Sequence, residues 1–260
     1  MTAGSPPPRV SVICTTRNAE QTVSETLASI RGQTLRDFEM VVVDDGSSDG
    51  TLAILREAAA ADPRLRVIEA GFIGRGPALQ RAMAETSAPL IANIDADDIS
   101  HPSRLECLVD AAYAHRDVGL FHTRSLRFRE AAEIKWPELS LSAPRVTETG
   151  VLLLVHNTID HSSILMRRDA YSLAGGYDAA RKAQIDYDLW LRFLLGGVKI
   201  AEVPLTLAAK RVHAGQSFEA GSRGYAQSSL ALQRAALRRH PLGWMLWPLY
   251  GIRAIWILQP

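Results

Sequence analysis

The feature that most constrains the fold is an alternation, in the N-terminal part of the chain, of short β-branched apolar runs with longer amphipathic segments. Residues 10–14 and 40–43 form nearly continuous apolar runs, which are typical of strands covered on both faces. Between them, Val23, Leu27 and Ile30 recur at helical spacing. The pattern predicts an α/β domain with a Rossmann-like, mostly parallel central sheet flanked by helices.

The rest of the chain carries weaker signals of the same kind. Strands are predicted at residues 65–69, 90–94, 119–123 and 205–209, and helices at residues 19–33, 51–61, 77–85, 102–115 and 184–195. No element is predicted in the polar region at residues 124–145. A chain of 260 residues with 47% hydrophobic residues is long enough for a substantial core, and we expect one main domain.

The charge distribution and the cysteine content indicate where in the cell the protein is expected. The net charge is +1, but no acidic residue follows Glu219, whereas five arginines do. Cys14 and Cys107 have no metal-ligand spacing and suggest buried thiols in a reducing compartment. The N-terminus does not resemble a secretory signal, and residues 242–258 fall short of the roughly 20 apolar residues that span a bilayer. We expect a cytoplasmic protein with no nucleic-acid partner.

Ligands of open α/β sheets bind beyond the carboxyl ends of the strands. Three segments follow predicted strands: residues 15–18, residues 44–47 and residues 95–98. The last contains Asp95, Asp97 and Asp98, and hard cations such as Mg²⁺ and Mn²⁺ take carboxylate and phosphate oxygens as ligands. An acidic cap of the following helix explains the same cluster equally well.

The turn at Asp44 and Asp45 can also be interpreted either as a binding site or as an ordinary structural turn. Its carboxylates can accept hydrogen bonds from a nucleotide base or ribose, and Gly46 permits a close approach of backbone. Ser, Asp and Gly are also the ordinary residues of a strand-to-helix turn. Two Asp-rich turns at neighbouring strand ends favour the binding interpretation.

Asp186 is singled out by helical spacing. It shares a helix face with Leu189, Trp190 and Phe193, so its carboxylate is expected to point where the apolar residues point and could act as a general base. Asp186 could instead simply cap or start the helix. Asp188 is expected to form a surface pair with Arg192 at i+4.

Together these segments resemble glycosyltransferase family 2, whose members are inverting and have the GT-A fold. The resemblance runs from Val10 to His213 and is carried, in order, by residues 10–18, 42–51, 94–98, 101–105, 175–178, 186–192 and 211–213. It implies a catalytic domain at residues 9–218, with a nucleotide-binding half at 9–100 and an acceptor half at 101–218. Residues 1–8 are expected to be flexible, and residues 219–260 to form a basic, aromatic helical tail.

The family pattern also implies roles for individual residues. The nucleotide-sugar site is expected to contain Thr15, Thr16, Arg17, Asn18, Asp44, Asp45, Arg75, Asp95, Ala96 and Asp97. Mn²⁺ or Mg²⁺ is expected to be held by Asp97, Asp98 and His213, and Asp186 is expected to deprotonate the acceptor hydroxyl. His161 and Trp190 are expected near the acceptor.

The activity that this resemblance implies is inverting transfer of a sugar from a nucleotide-diphosphate sugar, most often a UDP-sugar, to a carbohydrate or lipid-linked acceptor. Surface polysaccharide or glycolipid assembly is the expected setting. The sequence departs from the family at Ile185, where Glu is usual, and at Pro77 and Gln80. A homologue that only binds donor therefore stays an alternative. A sugar-phosphate nucleotidyltransferase is a weaker one, because residues 15–18 lack its Gly-rich stretch.

The C-terminal segment 241–260 supports two interpretations. Trp244, Trp247, Tyr250 and Trp256 lie among aliphatic residues and follow the basic pair Arg238-Arg239. Such a mixture suits peripheral contact with an anionic membrane, here the cytoplasmic face of the inner membrane. It suits equally a final helix that packs on the catalytic domain or in a dimer.

Overall fold

A computed structural model describes residues 7–139, 146–213 and 223–258. Within these residues nine strands form one sheet in the order β3-β2-β1-β4-β8-β6-β9-β5, and β7 pairs with β9. The strands are β1 (Val10–Thr16), β2 (Phe38–Asp44), β3 (Leu65–Glu69), β4 (Leu90–Asn93), β5 (Ile99–Ser100), β6 (Val118–Phe128), β7 (Thr147–Thr149), β8 (Ile164–Arg167) and β9 (Lys199–Arg211). The α-helices are α1 (Val23–Arg31), α2 (Thr51–Ala61), α3 (Arg75–Ala84), α4 (Arg104–Ala114), α5 (Arg168–Leu173), α6 (Ile185–Leu195), α7 (Arg223–Arg239) and α8 (Gly243–Leu258).

The parallel half of the sheet confirms the prediction from apolar runs. β1 lies between β2 and β4, and all three run parallel. Neighbouring residues of β1 face opposite sides: Val12 belongs to a core cluster with α1, α2 and α4, and Ile13 to a second cluster with α3 and α6. Both side chains are fully buried. A strand between two helical layers needs apolar residues at both alternating positions, which is why the run is nearly continuous.

The second half of the sheet is mixed. β8 runs antiparallel to both β4 and β6, whereas β6 and β9 are parallel. The sequence prediction ended β6 too early, because the strand continues through residues 124–128. Polar side chains such as Arg124 and Arg127 lie on this outer part and are exposed, so the stretch carries no apolar run. Residues 140–145 of the predicted polar region lie outside the described residues.

Two helix starts differ from the prediction for local reasons. α1 begins at Val23 rather than at residue 19, because residues 19–22 form a turn in which Ala19 N–H donates to the Thr51 hydroxyl (2.8 Å). α3 begins at Arg75, two residues before Pro77. Proline is tolerated in the first turn of a helix because the N–H it lacks would have no intrahelical acceptor there.

The C-terminal segment forms two helices, α7 and α8, that pack together. A Cβ at Gly243 would overlap the carbonyl group of Leu237, so the chain can make this turn only with glycine. Leu246, Trp247 and Tyr250 of α8 pack against the second core cluster. The packing interpretation of the tail is therefore confirmed for one side of α8. No helix in the described part of the chain is long and apolar enough to cross a membrane.

Candidate active site

The candidate site lies at the carboxyl edge of the parallel strands. β1 ends at Thr16, β2 at Asp44 and β4 at Asn93, and these ends meet because the three strands are adjacent and parallel. Asp45 N–H donates to the Thr16 carbonyl (2.8 Å), which ties the first two strand ends together. The Thr16 side chain is buried and Thr15 is half-buried, so Thr15 offers the more accessible hydroxyl.

Asp44 and Asp45, in the turn after β2, accept hydrogen bonds from different parts of the chain. Asp44 accepts hydrogen bonds from the backbone N–H (3.0 Å) and hydroxyl of Ser47, which closes its own turn. Asp45 accepts from the N–H groups of Ile73 (2.7 Å) and Gly74 (2.9 Å), and so fixes the loop that precedes α3. Asp44 thus acts locally, whereas Asp45 positions a second wall of the site.

The loop before α3 carries an aromatic residue that the sequence prediction missed. The Phe72 side chain is 68% exposed, and the Arg17 guanidinium lies 4.0 Å from its ring centroid. Next to Arg17, the Asn18 carboxamide accepts from Ser48 N–H (2.8 Å). Arg17 and Phe72 are thus exposed, and the buried Asp45 fixes the loop that carries Phe72; we call these three residues the platform. A bulky residue between Gly71 and Gly74 was the available sequence signal.

Asp95 lies at the centre of a charged network. Its carboxylate contacts Arg75 (2.8 Å), receives a hydrogen bond from Asn93 (3.2 Å) and lies 3.6 Å from His161 Nδ1. Burial alone would raise the pKa of Asp95, but the positive charge of Arg75 and the nearby His161 hold that pKa well below its usual range. Asp95 therefore stays ionised and orients Arg75, whose side chain is 42% exposed, toward the cleft.

Asp98 is buried and points away from the cleft. Its oxygens accept hydrogen bonds from Arg211 N–H (2.9 Å) and from the Ser162 hydroxyl. Burial and the neighbouring carboxylates of Asp97 and Asp95 raise its pKa well above the usual range. This arrangement joins the acidic loop to the end of β9, a role that the expected metal-ligand assignment did not include.

The helix-cap interpretation of the acidic cluster is wrong. The next helix, α4, begins only at Arg104, after β5 and a turn in which His101 Nδ1 accepts from Ser103 N–H (3.1 Å). The Ala96 carbonyl accepts instead from the Thr22 hydroxyl (3.0 Å) at the start of α1. The cluster is thus a loop built at the sheet edge.

Asp97 and His213 form the part of the cluster that faces solvent. His213 Nε2 lies 3.0 Å from Asp97 Oδ2, and their side chains are 42% and 25% exposed. An accessible carboxylate oxygen beside an imidazole nitrogen fits a divalent cation. The described residues hold no group of three or more His, Cys, Asp or Glu side chains with metal-site geometry.

Asp186 lies in the first turn of α6 and is half-buried. Leu189, Trp190 and Phe193 on its face are fully buried, as the spacing predicts. Burial raises the pKa of the Tyr225 hydroxyl, and the nearby negative charge of Asp186 raises it further. The negative charges of Asp95 and Asp186 both raise the pKa of Arg75, so the two carboxylates lie near the same guanidinium. Asp186 does start the helix, but Gln184 occupies the cap position.

The pair between Asp188 and Arg192 is confirmed (2.9 Å), but its predicted surface location is wrong. Arg181 also contacts Asp188 (3.2 Å), and the carboxylate side chain is only 12% exposed. Two arginines cover the carboxylate from both sides, so a residue expected in solvent is held in the interior. Asp188 thus contributes to the structure of α6 and does not face the cleft.

His161 and Trp190 are brought together, but neither is open to solvent. His161 is 4% exposed; its Nε2 lies 2.8 Å from the Tyr177 hydroxyl, and its Nδ1 lies 3.4 Å from Arg75. Trp190 is 0% exposed and meets His161 edge to face, with ring centroids 6.0 Å apart. Trp190 packs on His161 and has no exposed surface, and its expected place near the acceptor stays a prediction.

A fully buried arginine, Arg104, completes the floor of the site. Its guanidinium donates to the carbonyls of Asn93 (3.2 Å) and Ser162 (2.7 Å), which joins the end of β4 to the turn at His161–Ser163. Burial lowers the pKa of Arg104 to about 10, against the opposing effect of Asp98. Arg104 belongs to the resemblance motif, but Ser162 had no signal in the sequence.

Sequence and structure comparisons agree on one family. The family model described as "Glycosyl transferase family 2" matches residues 11–173, a span that ends before Asp186. The putative glycosyltransferase EpsE of Bacillus subtilis is 33% identical over 196 residues, covering 74% of this chain and 69% of EpsE. The amylovoran biosynthesis glycosyltransferase AmsE of Erwinia amylovora is 28% identical over 256 residues, covering 96% and 94% of the two chains.

Solved structures show the same fold at lower identity. S. aureus TarS 1-349 in complex with UDP-GlcNAc aligns with a TM-score of 0.70 at 18% identity, over 90% of this chain and 68% of that one. The mannosyltransferase PcManGT of Pyrobaculum calidifontis, in complex with GDP-Man and Mn²⁺, aligns with a TM-score of 0.68 at 22% identity, over 98% and 73%. The sheet is thus the GT-A fold that the resemblance implied. The chain belongs to glycosyl transferase family 2 and is a glycosyltransferase.

Proposed function

We propose that the enzyme transfers a sugar from a nucleoside-diphosphate sugar to an acceptor hydroxyl, with inversion at the anomeric carbon. The observation that carries this proposal is that Arg75 binds Asp95 and also lies near the negative charge of Asp186, although the three residues are far apart in sequence. Asp45 fixes the loop before α3, on which Arg75 lies at the start of the helix. A cleft of this kind can hold a base, a diphosphate and a nucleophile in one line.

The platform of Arg17, Phe72 and Asp45 suits the nucleoside. An exposed ring offers a face on which a base can stack, and a fixed carboxylate accepts hydrogen bonds from base or ribose. Thr15 and Asn18 border the same end of the cleft. The relatives support a nucleotide donor, since TarS and PcManGT were solved with UDP-GlcNAc and GDP-Man. We favour a UDP-sugar.

Charge at the centre suits the diphosphate. Arg75 is held by Asp95 with part of its guanidinium exposed, so it can contact a phosphate oxygen. Asp97 and His213 would hold Mn²⁺ or Mg²⁺, which supplies positive charge for the departing diphosphate when it is bound. Asp98, whose oxygens bind Ser162 and Arg211, is assigned to bracing the loop.

Asp186 is proposed as the general base. The acceptor oxygen attacks the anomeric carbon from the face opposite the diphosphate, its proton passes to Asp186, and the bond between that carbon and the diphosphate oxygen breaks. The usual neighbouring Glu is replaced by Ile185, which is 5% exposed and packs in the core. Asp186 therefore has no acidic neighbour at that position to tune it. His161 is assigned to orienting Arg75.

The biological setting is proposed from relatives alone. AmsE is described as an amylovoran biosynthesis glycosyltransferase and ExoO of Rhizobium meliloti as a succinoglycan biosynthesis protein; ExoO is 30% identical over 90% of this chain. We therefore propose a role in polysaccharide assembly, with a carbohydrate or lipid-linked acceptor.

A donor screen tests the proposal. Purified enzyme is titrated calorimetrically with UDP- and GDP-sugars in the presence of Mn²⁺, Mg²⁺ or chelator, and release of nucleoside diphosphate is followed with water as acceptor. Wild type should bind one donor class more tightly with metal, and Asp97→Ala should lose that metal dependence. Asp110→Asn, an exposed carboxylate on α4, is the matched control. Absence of binding for every donor with either metal would contradict the proposal.

A further inference from the structure

Helix α8 leaves one whole side apolar and open to solvent. Its exposed apolar side chains are Trp244 (71%), Met245 (56%), Leu249 (50%), Ile252 (68%) and Ile255 (66%), which together form what we term the apolar face. At 100° per residue these positions fall within an arc of about 140°. The opposite side carries Leu246, Trp247 and Tyr250, which pack on the core. One helix thus has two apolar sides, and only one of them is covered.

A second exposed apolar surface lies beside α8. The turn Val151–Leu154 presents Val151 (41% exposed) and Leu152 (62% exposed). His156, at the end of this turn, lies 3.0 Å from Arg253 of α8 through its Nδ1. Large contiguous apolar patches are rare on soluble monomers and mark interaction surfaces. The contact between His156 and Arg253 holds this turn beside α8.

The unit formed by α7 and α8 is positively charged. No Asp or Glu occurs after Glu219 in the sequence, so the α7–α8 unit carries arginines without acidic residues. Arg234 and Arg238, one helical turn apart on α7, line a groove of about 380 Å³ with Tyr250 and Ala254 of α8. Tyr250 lies on the covered side of α8, so this groove opens between the two helices and not on the apolar face. Both arginines are exposed and can bind the phosphate of a lipid head group.

The residues of α8 suit the surface of a bilayer. The helix has 16 residues and contains Pro248. None of the helices in the described ranges is long and apolar enough to span a membrane. A helix with one apolar face, flanking arginines and interfacial tryptophan is the usual design for insertion at the level of the lipid head groups.

We propose that the α7–α8 unit docks the enzyme on the surface of a bilayer that contains anionic phospholipid, with the apolar face inserted among the head groups. The positive charge of this unit favours an anionic bilayer over a second copy of the chain as the partner of the apolar face. Pairing two copies through α8 would bring two sets of arginines together without a counter-charge, whereas an anionic bilayer supplies that charge. The inference is independent of the donor and of the catalytic assignments.

Vesicle flotation of the full chain tests the docking surface. Wild type is expected to float with phosphatidylcholine vesicles that contain phosphatidylglycerol, and to float far less with phosphatidylcholine alone or at raised salt. Ile252→Glu combined with Ile255→Glu should weaken binding about tenfold or more, because two charges must then enter the interface. The matched control is Leu173→Glu, on α5, whose side chain is 74% exposed and which should float like wild type.

Two further measurements separate the alternatives. Arg234→Gln combined with Arg238→Gln should reduce the preference for phosphatidylglycerol, and circular dichroism melting should show that each variant is folded. Equal flotation of wild type and the double Glu variant would overturn the proposal, as would flotation indifferent to phosphatidylglycerol. In lipid-free sedimentation, wild type could instead form a dimer that the double Glu variant does not form. If wild type also failed to bind vesicles, the apolar face would be assigned to a second copy of the chain, and the proposal would be overturned.

Discussion

Gly46 controls how closely the β2 turn approaches the loop before α3. Its φ is +75°, and a Cβ placed there would lie 2.7 Å from Phe72 N and 3.0 Å from the carbonyl carbon of Gly71. Gly71 has a similar φ of +64°, but a Cβ at that position meets nothing within 4 Å. The two glycines therefore share the same backbone requirement and differ only in the space around them.

We predict that Gly46→Ala destabilises the protein by about 1–3 kcal/mol more than Gly71→Ala. Both variants incur the left-handed backbone cost of about 1–2 kcal/mol, which cancels in the comparison. The remaining difference is an overpacking cost of about 1–3 kcal/mol, because backbone atoms of the facing loop must move. That movement would also lengthen the hydrogen bonds from Ile73 and Gly74 to Asp45, which fix the proposed nucleoside platform.

Urea unfolding of wild type and both variants measures the difference in the free energy of unfolding. Calorimetric titration with nucleoside diphosphate measures the affinity of the proposed nucleoside platform for nucleotide. Gly46→Ala should bind nucleotide about tenfold more weakly than Gly71→Ala, the equivalent of about 1.4 kcal/mol. Equal stability and equal nucleotide affinity of the two variants would refute the close packing of turn and loop. A larger loss for Gly71→Ala would refute it as well.

Three further predictions concern other parts of the molecule. Asp62→Asn should destabilise by about 1–2 kcal/mol at neutral pH, since the hydrogen bonds from Arg64 lower the pKa of Asp62. A depressed pKa contributes stability above the unfolded value of about 3.9 that is lost as pH falls through the folded value, so urea unfolding should show variant and wild type converging in acid. Arg104→Met should destabilise by about 2–4 kcal/mol in thermal unfolding, because the carbonyls of Asn93 and Ser162 lose a buried donor; an unchanged melting temperature would contradict the bracing role. Phe72→Ala should weaken nucleotide binding by about 1–3 kcal/mol with little effect on stability, because the ring is 68% exposed; unchanged affinity in calorimetry would remove Phe72 from the platform.

Local patterns predicted the parallel half of the sheet well. Val12 and Ile13 are both apolar because helices cover both faces of β1, so the apolar run alone predicts that both residues are buried. The strand-end rule then placed Asp45 and Asp95 at one edge without knowledge of long-range contacts. The predictions were weaker where polar residues occur in regular structure, as in residues 124–128 of β6.

The positions of several side chains could not be predicted from their spacing in the sequence, because they depend on contacts with residues far away along the chain. Asp97 and Asp98 are neighbours in sequence, yet Asp98 turns inward because Ser162 and the Arg211 N–H meet it there. Asp188 looked like a surface residue at i+4 from Arg192, but Arg181 covers it from a preceding loop. His161 is buried because Tyr177 and Arg75 contact its two ring nitrogens and Trp190 packs on its ring. Each of these outcomes requires residues brought together by the fold.

The central claim, inverting transfer with Asp186 as base, is tested most directly by following the released sugar by proton NMR. Wild type, Asp186→Asn and the control Asp110→Asn are each incubated with the donor identified by titration, with water as acceptor. We predict that wild type and Asp110→Asn release the sugar initially as the inverted anomer, whereas Asp186→Asn binds donor with unchanged affinity and releases almost none. Release of the retained anomer, or undiminished release by Asp186→Asn, would contradict the account.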